Sequence, residues 1–177
     1  YNAWLNRGLL AWWCPSATSP TGTDLLDLSS YNNRGTFSSM TASAWVDSFG
    51  KKALSFNGST NFITTTAAGP ITSSRAVSLW FRSSVSLGSN TYSVLLEWGS
   101  AASYPADIGK NFTVAFGTDA LFGTNAFGVS QYGDSVATPF FNDGKWHHGY
   151  IDSVGSLYSI YVDGVFKASK TMTTNAT

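Results

Sequence analysis

The chain is poor in charge: of its 177 residues only 11% are Asp, Glu, Lys or Arg, against about 25% in an ordinary soluble domain. Ten basic and ten acidic side chains cancel to a formal net charge of zero. No basic stripe exists to track phosphates, which excludes nucleic acid as an expected partner. No polybasic segment points to a lipid surface. No apolar run approaches the about 18 residues that a spanning helix needs, so no membrane insertion is expected. Cysteine is nearly absent. Cys14 stands alone, which excludes an internal disulfide and every Cys/His zinc spacing. Cys14 follows the apolar run Leu9 to Trp13 and reads as a packing residue. Glutamate is rarer still than charge in general: Glu97 is the only one, and no Asp-x-Asp or Glu-x-Asp occurs. A glycosidase places two carboxylates across the scissile bond, and no sequence motif here supplies such a pair. No Gly-x-Ser-x-Gly is present, so no serine carries a nucleophile signature.

What the chain has instead is apolar bulk and turn chemistry. Hydrophobic residues make up 43% and aromatics 15%, enough for a full core and too much for a disordered chain. Solubility then rests on Ser, Thr, Asn and Gly, a composition common in secreted and surface-displayed β proteins. The length suits one domain, residues 1–177. The chain begins at Tyr1 without Met or signal peptide, as a processed product or a domain cut from a longer parent would.

The clearest stretch runs from Asn142 to Ser169. Asn142-Asp143-Gly144 is a turn triplet. Lys145 to Asp152 is rich in aromatic and β-branched residues and predicts a strand. Val154-Gly155-Ser156 predicts a turn. Tyr158, Ile160 and Val162 then alternate with Ser159, Tyr161 and Asp163. Asp163-Gly164 is a strong hairpin signal, because both central residues of a type I′ turn need positive φ. Val165 to Ser169 returns as the partner strand.

Earlier segments follow the same logic. Gly8 to Cys14 reads as a strand buried on both faces. Short strands are expected at Thr36 to Met40, around Trp45, at Lys52 to Phe56 and at Phe62 to Thr66. Ala76 to Ser83 sets Val77, Leu79 and Phe81 against Ser78, Trp80 and Arg82. Strands are also predicted at Thr91 to Trp98, Asn111 to Gly117, Phe127 to Tyr132 and Ser135 to Phe141. Turn signals every eight to twelve residues or so, and no helix, predict an all-β sandwich or barrel. The alternation around Trp80 and Trp146 is read as placing both indoles toward the core.

Five stretches carry a resemblance. They are Gly8-Leu9-Leu10-Ala11-Trp12-Trp13, Ser29 to Thr36, Ala53-Leu54-Ser55-Phe56-Asn57-Gly58-Ser59, Val77-Ser78-Leu79-Trp80-Phe81-Arg82, and Asp143 to His148 with Ile160-Tyr161-Val162-Asp163-Gly164. In this order they resemble laminin-G-like domains of the concanavalin A-like lectin and glucanase superfamily, as found in bacterial surface and phage structural proteins. The resemblance implies a jelly-roll β-sandwich of two antiparallel sheets. It also implies one or two closing strands after Asp163-Gly164, which this sequence lacks. A neighbouring chain or a parent polypeptide would then complete the sheet edge by strand addition.

The resemblance further implies calcium as a possible cofactor. The family turn is often Asp-Gly-Ser-Asp-Asp, where this chain has Asn57-Gly58-Ser59-Thr60-Asn61 without a carboxylate. Loop residues Asp107, Asp119, Asp134 and Asp143 could assist a cation. His147 and His148 resemble a structural pair, one ring inward and hydrogen-bonded. Being adjacent on a strand, they point to opposite faces and cannot readily share a metal.

The expected function is a non-enzymatic recognition or display module, extracellular or on a cell or virion surface, that binds a glycan or a protein. Loop aromatics with nearby acids, namely Tyr104, Asp107, Asp119, Tyr132 and Asp134, are its candidate ligand-binding residues. Phe122, Phe127, Phe140 and Phe141 read mostly as packing residues. The alternatives are a structural decoration domain without a ligand and, disfavoured by the missing acid pair, a glycoside hydrolase.

Overall fold

A computed structural model gives the architecture. It describes residues 8–18, 23–65, 74–99, 111–119, 122–131, 133–139 and 142–173, without the side chains of Asp119 and Thr124. The chain is all-β and its sheets are antiparallel. It divides into two compact units, Tyr1–Ala68 and Gly69–Thr177.

Among its described residues the first unit holds five short strands. β1 (Asp24–Leu25), β2 (Gly35–Ser38) and β5 (Phe62–Thr65) form a sheet in the order β1-β2-β5, and β3 (Trp45–Ser48) pairs with β4 (Lys51–Leu54). Gly35 of β2 leaves room for a side chain of its sheet neighbour β5: a Cβ there would lie 2.5 Å from Ile63 Cγ2. Phe37 meets the Trp45 ring edge-on at 5.8 Å.

The expected N-terminal strand does not form. Within Gly8 to Cys14 only Trp13 makes a bridge, to Asp27, and Trp12 is 52% exposed. The segment is held by a side chain instead. Asp27 Oδ1 accepts the N–H groups of Trp12 and Ser29 at 2.7 and 2.8 Å. Its Oδ2 accepts the Ser29 hydroxyl and the Asn33 N–H, both at 2.7 Å. Asn33 Nδ2 donates to Leu10 O, and Trp13 Nε1 donates to Asn33 O. Burial pushes the Asp27 carboxyl up, but these hydrogen bonds outweigh it and hold its pKa below the ordinary value.

The described residues of the second unit form a pair of four-stranded sheets. β6 (Arg75–Arg82), β11 (Trp146–Val154), β12 (Leu157–Val162) and β13 (Val165–Thr171) form one, in the order β13-β12-β11-β6. β7 (Thr91–Gly99), β8 (Asn111–Asp119), β9 (Gly123–Ser130) and β10 (Ser135–Pro139) form the other, in the order β10-β9-β8-β7. The β12–β13 hairpin turns on Asp163 and Gly164 at φ +53° and +76°, as its sequence predicts.

Alternation decides the core. Phe81 from β6, Ile151 from β11, and Tyr158, Ile160 and Val162 from β12 bury against Phe112, Val114 and Phe116 of β8 and Phe127 and Val129 of β9. The apolar inner faces of both sheets thus share one core, the arrangement of a β-sandwich. Gly149 makes room for it, since a Cβ there would lie 2.9 Å from the Phe127 ring.

The two tryptophans do not follow the expected facing. Trp80 is 67% exposed and Trp146 is only partly buried. On β6 the more apolar set, Val77, Leu79 and Phe81, turns inward and leaves Trp80 outside with Ser78 and Arg82. On β11 the inward set is His147, Gly149, Ile151 and Ser153. That puts Trp146 on the outer face, with the Arg82 guanidinium 5.5 Å from its ring.

At the C-terminal end the expected partner strand, Val165 to Ser169, forms within β13. β12 is paired on both sides, so the strand Tyr158 to Asp163 presents no bare edge. Met172 is buried and its N–H donates to Ser156 O. The last strand is further tied down through Lys170, whose Nζ lies 2.5 Å from Asp134 Oδ1.

Candidate functional site: an aromatic sheet face

The outer face of the β6–β11–β12–β13 sheet collects aromatic rings. Trp80 and His148 sit opposite each other in register, with ring centres 5.2 Å apart. Tyr150 lies two residues further along β11, on the same face. It stands opposite Tyr161 of β12 with ring centres 5.9 Å apart. Tyr161 in turn stands opposite Phe166 of β13, edge-on at 5.6 Å. The rings cross all four strands, and neighbouring strands are about 4.8 Å apart.

The face is amphipathic. Phe166 is 54% exposed, while His148, Tyr150 and Tyr161 are partly covered by one another. Ser78 Oγ and His148 Nε2 are hydrogen-bonded at 2.8 Å. Asp152 raises the Tyr150 hydroxyl pKa after burial has already done so, so Tyr150 stays a neutral donor across the physiological range. Arg82 contributes a cation at the Trp146 end. Such a surface can stack flat, weakly polar rings and hydrogen-bond their edges.

Of the residues expected to bind ligand, only Asp134 is described with its side chain. Tyr104, Asp107 and Tyr132 lie outside the described residues, as do Phe140 and Phe141. Asp119 ends β8, and its side chain is not described. Asp134 is engaged by its own chain: besides Lys170 it accepts the Thr173 N–H at 3.0 Å. Burial pushes its carboxyl up, yet the Lys170 ammonium and these hydrogen bonds bring it down overall. Phe122 and Phe127 are buried. Glu97 accepts a hydrogen bond from Thr113 Oγ1 at 2.9 Å.

The Asn57 to Asn61 turn is closed on itself. Asn57 Oδ1 accepts the N–H groups of Ser59, Thr60 and Asn61, each at 3.0 Å. Asn61 Oδ1 accepts the Asn57 N–H at 3.1 Å. Donors converge where calcium would need oxygen lone pairs, so this turn does not fit the ion. Beside it in the first unit is an uncharged cleft of about 330 Å³ lined by Ser39, Thr41, Ser43, Ser55, Asn57 and Asn61. No group of three or more His, Cys, Asp or Glu suited to a metal occurs among the described residues.

The sequence did carry a signal for the aromatic face. Ser78, Trp80 and Arg82 form one alternating set, and Ser159 and Tyr161 another. The rings of this face stand on strands, whereas the predicted loop aromatics Tyr104 and Tyr132 lie outside the described residues. No family model, no curated protein and no solved structure matches this chain.

Proposed function

We propose that this chain is a non-enzymatic recognition module of laminin-G-like, jelly-roll type, displayed outside a cell or on a virion, that binds a glycan on the outer face of the β6–β11–β12–β13 sheet. The observation that carries the reading is the exposed aromatic stripe led by Trp80 and Phe166. A soluble chain leaves such rings in water only at a cost, because each large aromatic is worth a few kcal/mol when covered. Apolar CH faces of sugar rings would cover them, and Ser78, Ser159 and Arg82 would meet the hydroxyl edges. The strand spacing is close to the length of one pyranose residue, so an extended glycan laid across the strands offers about one ring per strand. A hydrolase is disfavoured because the single glutamate is hydrogen-bonded to Thr113 and has no acidic neighbour in sequence.

The test is a glycan array followed by calorimetry on the best ligand. Trp80→Ala is expected to weaken binding about 30-fold, the loss of about 2 kcal/mol that a central aromatic anchor supplies. Glu97→Gln is expected to leave affinity unchanged. Binding that is indifferent to Trp80 and Phe166 would refute this site.

A structural decoration role without ligand is the second reading, and one observation favours it. β6 pairs with β11 over eight residues without a register shift, and it is a sheet edge among the described residues. A strand from a neighbouring chain or parent polypeptide could add there. The opposite edge, β13, discourages addition through a shift in pairing at Lys167 and through its lysines.

A further inference from the structure

Both ring nitrogens of His147 face carboxylates. Nδ1 lies 2.7 Å from Asp163 Oδ2, and Nε2 lies 3.1 Å from Asp143 Oδ1. A neutral imidazole has one N–H and can serve only one of them. The other nitrogen would then oppose lone pair to lone pair. Only the imidazolium satisfies both contacts. The two carboxylates come from different turns: Asp143 precedes β11, and Asp163 makes the β12–β13 hairpin. The ring itself is largely buried, 5.9 Å from Phe81.

We infer that His147 is a proton-operated clamp that fixes the 142–145 turn to the start of β11 and, when the ring loses a proton, leaves the turn held by the Gly144 N–H, which donates to Ser83 O at 2.9 Å. The proton that leaves is the one on Nε2. The Nδ1 contact is shorter, and Asp163 is fixed independently by the His148 N–H at 2.9 Å. Asp143 then keeps the Lys145 N–H at 2.9 Å and the Lys145 ammonium at 3.5 Å, but loses its link to the core. Trp146 follows directly on this turn, so release loosens the Arg82–Trp146 end of the aromatic face. The inference stands whether or not that face binds a glycan.

The charges of Asp163 and Asp143 act on His147, with Lys145 on the far oxygen of Asp143 and His148 acting on Asp163. Burial pushes the His147 pKa down, the bonds and charges of Asp163 and Asp143 push it up, and the net shift is up. Asp143 is held low by the Lys145 N–H and by His147, and Asp163 by His147 and the His148 N–H. A raised histidine stabilises below its unfolded value of 6.5 and ceases to do so as pH rises through its folded pKa. The lowered aspartates stabilise above 3.8 and cease to do so as pH falls through theirs. The clamp is therefore complete between those two limits.

The experiment follows the His147 ring nitrogens by NMR in the full chain from pH 5 to 9. It also follows amide-exchange protection of Gly144 and Lys145, corrected for the intrinsic pH dependence. The expected results are a doubly protonated ring at pH 6 and a loss of protection of about tenfold as the ring titrates, the effect of one charge-assisted hydrogen bond. Asp143→Asn should shift the midpoint to lower pH and abolish the protection step. A neutral ring at pH 6 in the wild type, or protection that ignores the ring's titration, would overturn the inference even if the variant fails to fold.

Discussion

Replacing Asp27 by alanine is expected to destabilise the first unit by about 2–4 kcal/mol, because four hydrogen bonds to one carboxylate are lost together. The carboxylate joins the Trp12 backbone to the loop from Ser29 to Asn33. No apolar packing takes over that task, since Trp12 and Tyr31 are both exposed. Asp27→Asn keeps one acceptor oxygen but turns an NH₂ toward backbone donors, so an intermediate loss is expected. The Asp27 pKa lies below its unfolded value of 3.8. Its contribution is therefore fully present above that pH and is lost as pH falls through the folded pKa. Urea titrations at pH 7 and pH 3 check this. The gap between the wild type and Asp27→Ala should be smaller at pH 3 than at pH 7. An equal gap at both pH values would show that the charge is not what binds the loop.

The second large effect is expected at Gly128, in the middle of β9. A Cβ there would lie 2.3 Å from Val136 O and 2.7 Å from both Ala137 Cα and Ala137 Cβ. Two of these three atoms belong to the backbone of β10, which cannot yield without breaking its ladder with β9. Gly128→Ala should cost about 3 kcal/mol, a fall in Tm of roughly 10 °C. Gly58→Ala is the control. Its Cβ would meet nothing within 4 Å, but its φ of +70° disfavours an L side chain, so about 1 kcal/mol is expected. Thermal unfolding of the two variants side by side is the measurement. A smaller loss at Gly128 than at Gly58 would contradict the close approach of β9 and β10.

Much of the strand pattern was legible because alternation and turn residues agree locally. Asp163-Gly164 predicts its hairpin from φ preferences alone, and Val77, Leu79 and Phe81 predict the inner face of β6. At the tryptophans the failure arises because a single residue's hydrophobicity does not decide its facing. Trp80 is large and apolar, yet it shares a face with Ser78 and Arg82, and the whole set goes outward. His147 goes inward and is hydrogen-bonded, as expected of one ring of the pair, because two turns supply it with carboxylates. Gly8 to Cys14 looks like a buried strand, but its partners lie some twenty residues away through Asp27, Ser29 and Asn33, a contact no local window contains. Met172 is one apolar residue among threonines, and only the folded β13 shows that it reaches the core. The candidate site was legible only as alternating sets. Its assembly depends on register, which places Trp80 opposite His148 and Tyr161 opposite both Tyr150 and Phe166.

The proposed recognition surface is the outer face of the β6–β11–β12–β13 sheet. Amide and aromatic-side-chain shift mapping during titration with the best array glycan tests it most directly. The account predicts that perturbations concentrate on Ser78, Trp80, His148, Tyr150, Tyr161 and Phe166, with the inward Phe81 and Ile151 little moved. Perturbations centred instead on the 39–61 cleft of the first unit, or on the loops carrying Tyr104, Asp107 and Tyr132, would contradict it.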